Sequence, residues 1–176
     1  MSFTIKVDML GIDQMLDQLG DKAEEAARPA AQAAAQVFYD EVQRNVSRLG
    51  SKSGNLKRSI YQAFSDSNSR PGRATYHVSW NEKKAPHGHL LEYGHLQRYA
   101  IGIGKGGKWF TFVRPEAKGK PKPKRKASQA VKDAYYVPRK GGPKQIPARP
   151  FVRPALAKSE ASIEAAKAVL LKHMGL

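Results

Sequence analysis

The sequence predicts an α+β chain in which an antiparallel sheet of about four strands packs against a long alanine-rich helix, with a C-terminal helix and a long basic loop. Three patterns carry this expectation. From Lys22 to about Leu49, alanines and the larger residues Val37, Phe38, Val42, Val46 and Leu49 recur at helical spacing. Between Arg73 and Trp80, Tyr76, Val78 and Trp80 alternate with Thr75, His77 and Ser79, the period of a strand. Behind Pro154, a first-turn proline, Ala155, Leu156, Ile163, Val169 and Leu170 return to a helical pattern.

Taken in order, Phe3, Ile5, Val7 and Met9 alternate with polar residues and predict a half-buried strand ending at Gly11. Ile12, Met15, Leu16 and Leu19 follow at helical spacing, with Gly20 as the expected stop of a short helix. In the long helix that begins near Lys22, Pro29 is expected to mark a kink or the true start. Its alanines allow another helix or a sheet to approach closely. Gly50 closes it, and Ser51–Gly54 reads as a loop. Tyr61–Phe64 and Arg73–Trp80 then form two strands around the polar, turn-rich Ser65–Gly72 stretch. Pro86–Tyr93 reads as a short helix ending at Gly94, Trp109–Val113 as a fourth strand and Tyr135–Val137 as a fifth.

The chain has 31 Lys+Arg against 15 Asp+Glu, a net charge of +16 that points to a polyanionic partner. Most of it is local. Residues 105–144 hold 13 basic and 2 acidic residues, and Arg114–Lys126 alone holds seven basic residues and one acid. With little to bury and like charges that repel, this stretch is expected to be a mobile arm in isolation. The 176 residues are read as a single domain, with 105–144 as a basic flexible insert. Zero cysteines exclude a disulfide framework, thiolate zinc sites and a cysteine nucleophile. No apolar run approaches the roughly 20 residues of a membrane span. No apolar signal core follows Met1, so the protein is expected to remain where it is made.

Gly102-Ile-Gly-Lys-Gly-Gly107 fits a phosphate-binding glycine pattern, but such a loop works only ahead of a helix, and Trp109–Val113 favours a strand. A glycine turn in a basic hairpin is the expectation. His87, His89, Glu92 and His95 are metal-ligand types without a matching zinc spacing, so no metal or other cofactor is expected. Glu92 either receives Arg149 or Arg153 in a bidentate pair or stands exposed at a helix end. No nucleophile elbow and no base–orienter set occurs, so no catalytic residue is assigned and no enzyme is expected. Pro147–Leu156 has three prolines, which makes it stiff, with Phe151 and Val152 as apolar contacts and Arg149 and Arg153 as forked donors.

Three separated pieces stand in series: Ser53-Gly-Asn-Leu-Lys-Arg-Ser-Ile60, Ala85-Pro-His-Gly-His-Leu-Leu-Glu-Tyr-Gly94 and Ala148-Arg-Pro-Phe-Val-Arg-Pro-Ala-Leu156. Together they resemble the small neck or tail-completion proteins of long-tailed bacteriophages, a family often labelled minor tail component. Gly54, Leu56, Ser59, Ile60, Glu92, Gly94, Arg149, Pro150, Phe151, Arg153, Pro154 and Ala155 occupy the matching positions. His87-Gly-His89 and His95 depart from the family pattern, and the basic insert is longer than compact members carry.

The resemblance implies a structural virion subunit in a ring at the head–tail junction, a hexamer in the first place and a dodecamer as the alternative. Its implied partners are other neck, connector and tail-tube proteins and the genomic DNA in the lumen, with no membrane; assembly in the host cytoplasm is implied too. The matching residues are then expected to be structural or to lie near the subunit interface. Lys118, Lys120, Lys122, Lys124, Arg125 and Lys126 are expected to meet DNA phosphates or an acidic protein surface. The rival reading is a stand-alone, non-sequence-specific nucleic-acid-binding protein that uses 105–144, with Trp109, Phe110, Phe112, Tyr135 and Tyr136 stacking on bases.

Overall fold

The computed structural model describes residues 10–50, 54–105, 107 and 109–175, without the side chains of 10–17. The strand expected over residues 3–9 lies outside the described residues. The chain forms two compact units, one built from the residues up to Gly88 together with Pro150 onwards, the other from His89–Arg149.

The spine of the first unit is α1 (Leu10–Arg48), a single helix of 39 residues. The expected stop at Gly20 and the reading of Pro29 as the true start are both corrected: the helix runs through each. An interior glycine costs about 1 kcal/mol and a proline about 3 kcal/mol. Packing on either side of Pro29 offsets this, because Ala26, Ala30, Ala35, Val42 and Val46 are buried. Glu25, whose carbonyl loses its helical donor at Pro29, is exposed, so solvent can take the donor's place.

Those alanines admit another helix. α5 (Ser159–Met174) packs along α1, and the buried Ser162 donates its hydroxyl to the Ala34 carbonyl at 3.2 Å. Side chains this small let the two backbones come close. α2 (Asn55–Ser59) is held to α1 by Gln43, whose amide donates to the Lys57 carbonyl at 3.2 Å.

β1 (Ile60–Phe64) and β2 (Tyr76–Trp80) form an antiparallel hairpin that pairs Ile60 with Trp80 and Phe64 with Tyr76. The register puts Tyr76, Val78 and Trp80 on one face, as the alternation predicts. That face meets α1: Arg28 lies 4.3 Å from the Phe64 ring centre, and Gln62 donates to the Gln32 carbonyl. The loop expected over Ser65–Gly72 contains a 3-10 turn, Asp66–Asn68.

Phe151 closes this unit. Its ring is 0% exposed and lies edge-on to Trp80, 5.4 Å between centres, while its carbonyl accepts from the Asn45 amide at 3.1 Å. A Cβ on the buried Gly88 would fall onto the same indole, so glycine is what lets the chain pass there. From Phe151 the chain enters a 3-10 helix, Arg153–Lys158, with Pro154 in its first turn, and continues into α5.

The second unit opens with α3 (Gly88–Tyr93), whose first residue lies at the boundary. β3 (His95–Gln97) pairs antiparallel with β6 (Lys144–Ile146), and β4 (Ile101–Ile103) with β5 (Trp109–Thr111). Among the described residues, the expected sheet of about four strands is therefore three separate two-stranded ladders. Glycine and proline at Gly94, Gly104, Pro115, Gly141, Gly142 and Pro143 keep the strands of this unit to three residues. The strand expected over Tyr135–Val137 is also corrected. Ser128 caps α4 (Gln129–Tyr135), accepting from the Val131 amide, and leaves only Tyr136 to bridge Val113.

Replacing Phe151 by alanine is expected to cost about 3–5 kcal/mol of stability. Leu156→Ala, at a side chain that is 66% exposed, is expected to stay within about 0.5 kcal/mol. Denaturant unfolding followed by tryptophan fluorescence checks both, and equal losses would contradict this placement of the core.

Candidate functional site

The three sequence blocks lie mostly in or against packed backbone, and the first of them is structural. Gly54 takes φ 68° and leads into α2, where Leu56 and Ser59 are buried, as is Ile60 at the start of β1. The Ser59 hydroxyl donates to the Leu56 carbonyl at 2.7 Å, so even the polar member of this block is satisfied locally. These side chains belong to the core of the first unit.

The second block meets the start of the third. Gly94 has φ 72°, and a Cβ there would stand 2.7 Å from the Ile146 carbonyl oxygen and 2.8 Å from the Ala148 nitrogen. Only glycine fits both demands. Beside it, the Arg149 amide donates to the Leu91 carbonyl at 2.7 Å, and His95 faces Ile146 in the ladder. Glu92 is 1% exposed, so it is not the exposed helix-end carboxylate of one reading, and a carboxylate so enclosed requires hydrogen-bonding or charged partners. Of the proline-rich segment, Phe151 and Ala155 are buried, Pro150 is half-buried, and Arg149, Arg153 and Pro154 are exposed.

The basic stretch, by contrast, faces solvent. Lys118, Lys120, Lys122, Lys124, Arg125 and Lys126 are all exposed, and among the described residues none is in an ion pair. Their main chain has defined anchors. A 3-10 turn at Pro115–Ala117 buries Ala117, the Tyr135 hydroxyl donates to the Lys120 carbonyl at 3.3 Å, and the Lys132 ammonium donates to the Arg125 carbonyl at 2.8 Å. Arg114 ties in the start of the stretch through its amide to Tyr135 O and its guanidinium to Tyr136 O. The result is a course of fixed carbonyls with cationic heads left to solvent, suited to phosphates or carboxylates of any sequence.

α4 is itself held by a polar cluster. The Tyr99 hydroxyl donates to Asp133 at 2.7 Å, and the Gln129 amide donates to both. The hydrogen bond from Tyr99, then that from Gln129, holds the Asp133 carboxyl below its ordinary 3.8. Burial, then the hydrogen bond and charge of Asp133, pushes the Tyr99 phenol above its ordinary 10.0. A depressed acid stabilises above its ordinary value and loses the effect as pH falls; a raised phenol stabilises below its ordinary value and loses the effect as pH rises. The cluster therefore works best between the two.

The glycine run joins β4 to β5, with the Gly107 amide donating to the Gly104 carbonyl, and a strand follows it. That is the glycine turn the residues predict, and the helix a phosphate cradle needs does not follow. Among the described residues no group of three His, Cys, Asp or Glu side chains gathers around a common point. One feature goes beyond the sequence reading, which singles out only the aromatics: Ile101 and Ile103 stand exposed together with Trp109 and Phe110 on the β4–β5 hairpin and Phe112 just after it. Its signal was an apolar strand on each side of a glycine turn.

Residues 11–94 match the HK97-gp10-like family, described as "Bacteriophage HK97-gp10, putative tail-component". The matched stretch runs from α1 through α3 and ends at the pinched Gly94, so it contains the first two blocks. Neither a curated protein nor a solved structure matches the chain. No described helix is long and apolar enough to cross a membrane.

Gly94→Ala is expected to destabilise by at least ~2 kcal/mol, since the left-handed backbone alone costs about 1–2 kcal/mol before the clash is added. Thermal unfolding reads it, and a neutral result would contradict the pinch. In a Tyr99→Phe variant the Asp133 carboxyl is expected to return towards its ordinary range, followed by carboxyl-carbon NMR across acidic pH. An unmoved titration would contradict the assigned cause.

Proposed function

We propose that the chain, whose residues 11–94 match a bacteriophage tail-component family, is a structural virion protein forming a ring at the head–tail junction. In this reading it completes or caps the tail, contacts neck, connector and tail-tube proteins, and lets the genome pass. The family match over α1 to α3 is the observation that carries it. Tail symmetry favours six copies, with twelve as the alternative for a neck component, and assembly takes place in the host cytoplasm before the ring is built into the virion.

The exposed cations from Lys118 to Lys126 supply a reason for such a ring to be basic. Facing the lumen, they would neutralise phosphates without reading sequence, which suits a passage that must accept any part of a genome. The same stretch also supports the rival reading of a stand-alone nucleic-acid-binding protein. Assembly separates the two, because only the virion role needs a closed ring.

Native mass measurement of the purified protein is expected to give a hexamer or dodecamer, and a monomer that coats DNA would favour the rival. Binding to duplex DNA is expected to weaken with salt by about 0.9 log units per log unit of salt for each phosphate neutralised. Replacing Lys118, Lys120, Lys122 and Lys124 by alanine should flatten that slope. An unchanged slope would leave the stretch to an acidic protein surface instead.

A further inference from the structure

The β4–β5 hairpin carries more apolar surface than a two-stranded ribbon can keep in water. Ile101, Ile103, Trp109, Phe110 and Phe112 are each 44–59% exposed. The register puts Ile101, Ile103 and Trp109 on one face. On the other, Phe110 and Phe112 pack edge to face, 5.0 Å apart, over Gly102, where a Cβ would meet both rings. An isolated hairpin is marginally stable, and a clustered apolar patch on a soluble protein marks an interaction surface.

The first unit carries a surface of the complementary kind. A groove of about 200 Å³ is lined by apolar residues, among them Ala35, Phe38 and Val42 of α1, Val78 of β2, and Ala155 and Leu156 of the 3-10 helix. Ala35, Val42 and Ala155 make a buried floor, and Leu156 is an exposed rim. A groove of this size and chemistry suits one large side chain, and tryptophan is among the residues enriched as interface anchors in desolvated pockets.

Charge selects the same partner. The hairpin leads into the 105–144 stretch with its 13 basic and 2 acidic residues, whereas α1, one wall of the groove, carries 7 acidic against 4 basic residues, the exposed Asp21, Glu24 and Glu25 among the acids. A second copy of this chain therefore offers both the apolar hole and the opposite charge.

We propose that the Trp109 face of the β4–β5 hairpin of one copy docks into the Phe38–Val78–Leu156 groove of the next. The two surfaces differ, so the contact is heterologous, and its repetition closes a ring when the rotation allows. This inference rests on the ring reading and names the surfaces that build the ring.

The chain has no cysteine, so single thiols report cleanly. Ile103→Cys, across the hairpin from Trp109, and Leu156→Cys, on the groove rim, replace exposed side chains and leave the core intact. The two variants, carrying different tags, are co-expressed and treated with a short bis-maleimide. The expected product is a cross-linked pair with one chain of each kind, absent from either variant alone and lost when Trp109→Ala is added to the Ile103→Cys chain. Rings seen by native mass measurement without that cross-link, or a cross-link that survives Trp109→Ala, would overturn the docking and leave the ring standing. A chain that never assembles at any concentration would remove both.

Discussion

The enclosed Phe151 ring sets where the C-terminal segment joins the first unit, and the placement of α5 depends on it. Prolines at 150 and 154 restrict the backbone on both sides, so little chain entropy is left to lose when the ring is buried. The contact with Trp80 fixes the ring's direction, and the Asn45 hydrogen bond fixes its main chain against α1. With that point held, the 3-10 helix and α5 can only continue along the alanine face of α1, where Ser162 meets Ala34. Gly88 belongs to the same constraint, since a larger residue there would displace the indole on which Phe151 rests.

The second unit has its own fixed point at Gly94, where α3 ends, the chain turns left-handed and the backbone of 146–148 passes within a few ångströms. Its remaining elements are short. Polar ties in place of a large apolar core hold α4 and the basic stretch, which is why so many lysines and aromatic side chains remain at the surface. In the proposed role this outward-facing chemistry would turn cations towards a polyanion and apolar surface towards a neighbour.

Much of the first unit was legible in the sequence, because burial there writes a period. The alternation of Tyr76, Val78 and Trp80 gave the strand and its inner face, and Val42 and Val46 gave the buried stripe of α1. Gly20 and Pro29 misled, because local punctuation is a cost of a few kcal/mol that tertiary packing can override. In the second unit the strands are three residues long, too short to show an alternation, so β3, β4 and β6 left no readable pattern and Tyr135 was drawn into a helix by the Ser128 cap. Of the candidate site, the Gly94 block and the proline-rich block were visible as motifs. That the first ends against the backbone of 146–148, and that Phe151 is core, needed the fold. The aromatics Trp109, Phe110 and Phe112 were legible as candidate stacking residues, but that Ile101 and Ile103 stand exposed beside them needed the fold.

The match of residues 11–94 to a tail-component family, the strongly basic exposed segment and the exposed apolar hairpin together support the proposal of a subunit that works by assembly. The most direct test is imaging of the purified protein by negative stain, alone and added to isolated phage tails. The account predicts rings of uniform diameter and tails capped at one end. Dispersed particles that leave tail ends bare and coat added DNA instead would contradict it.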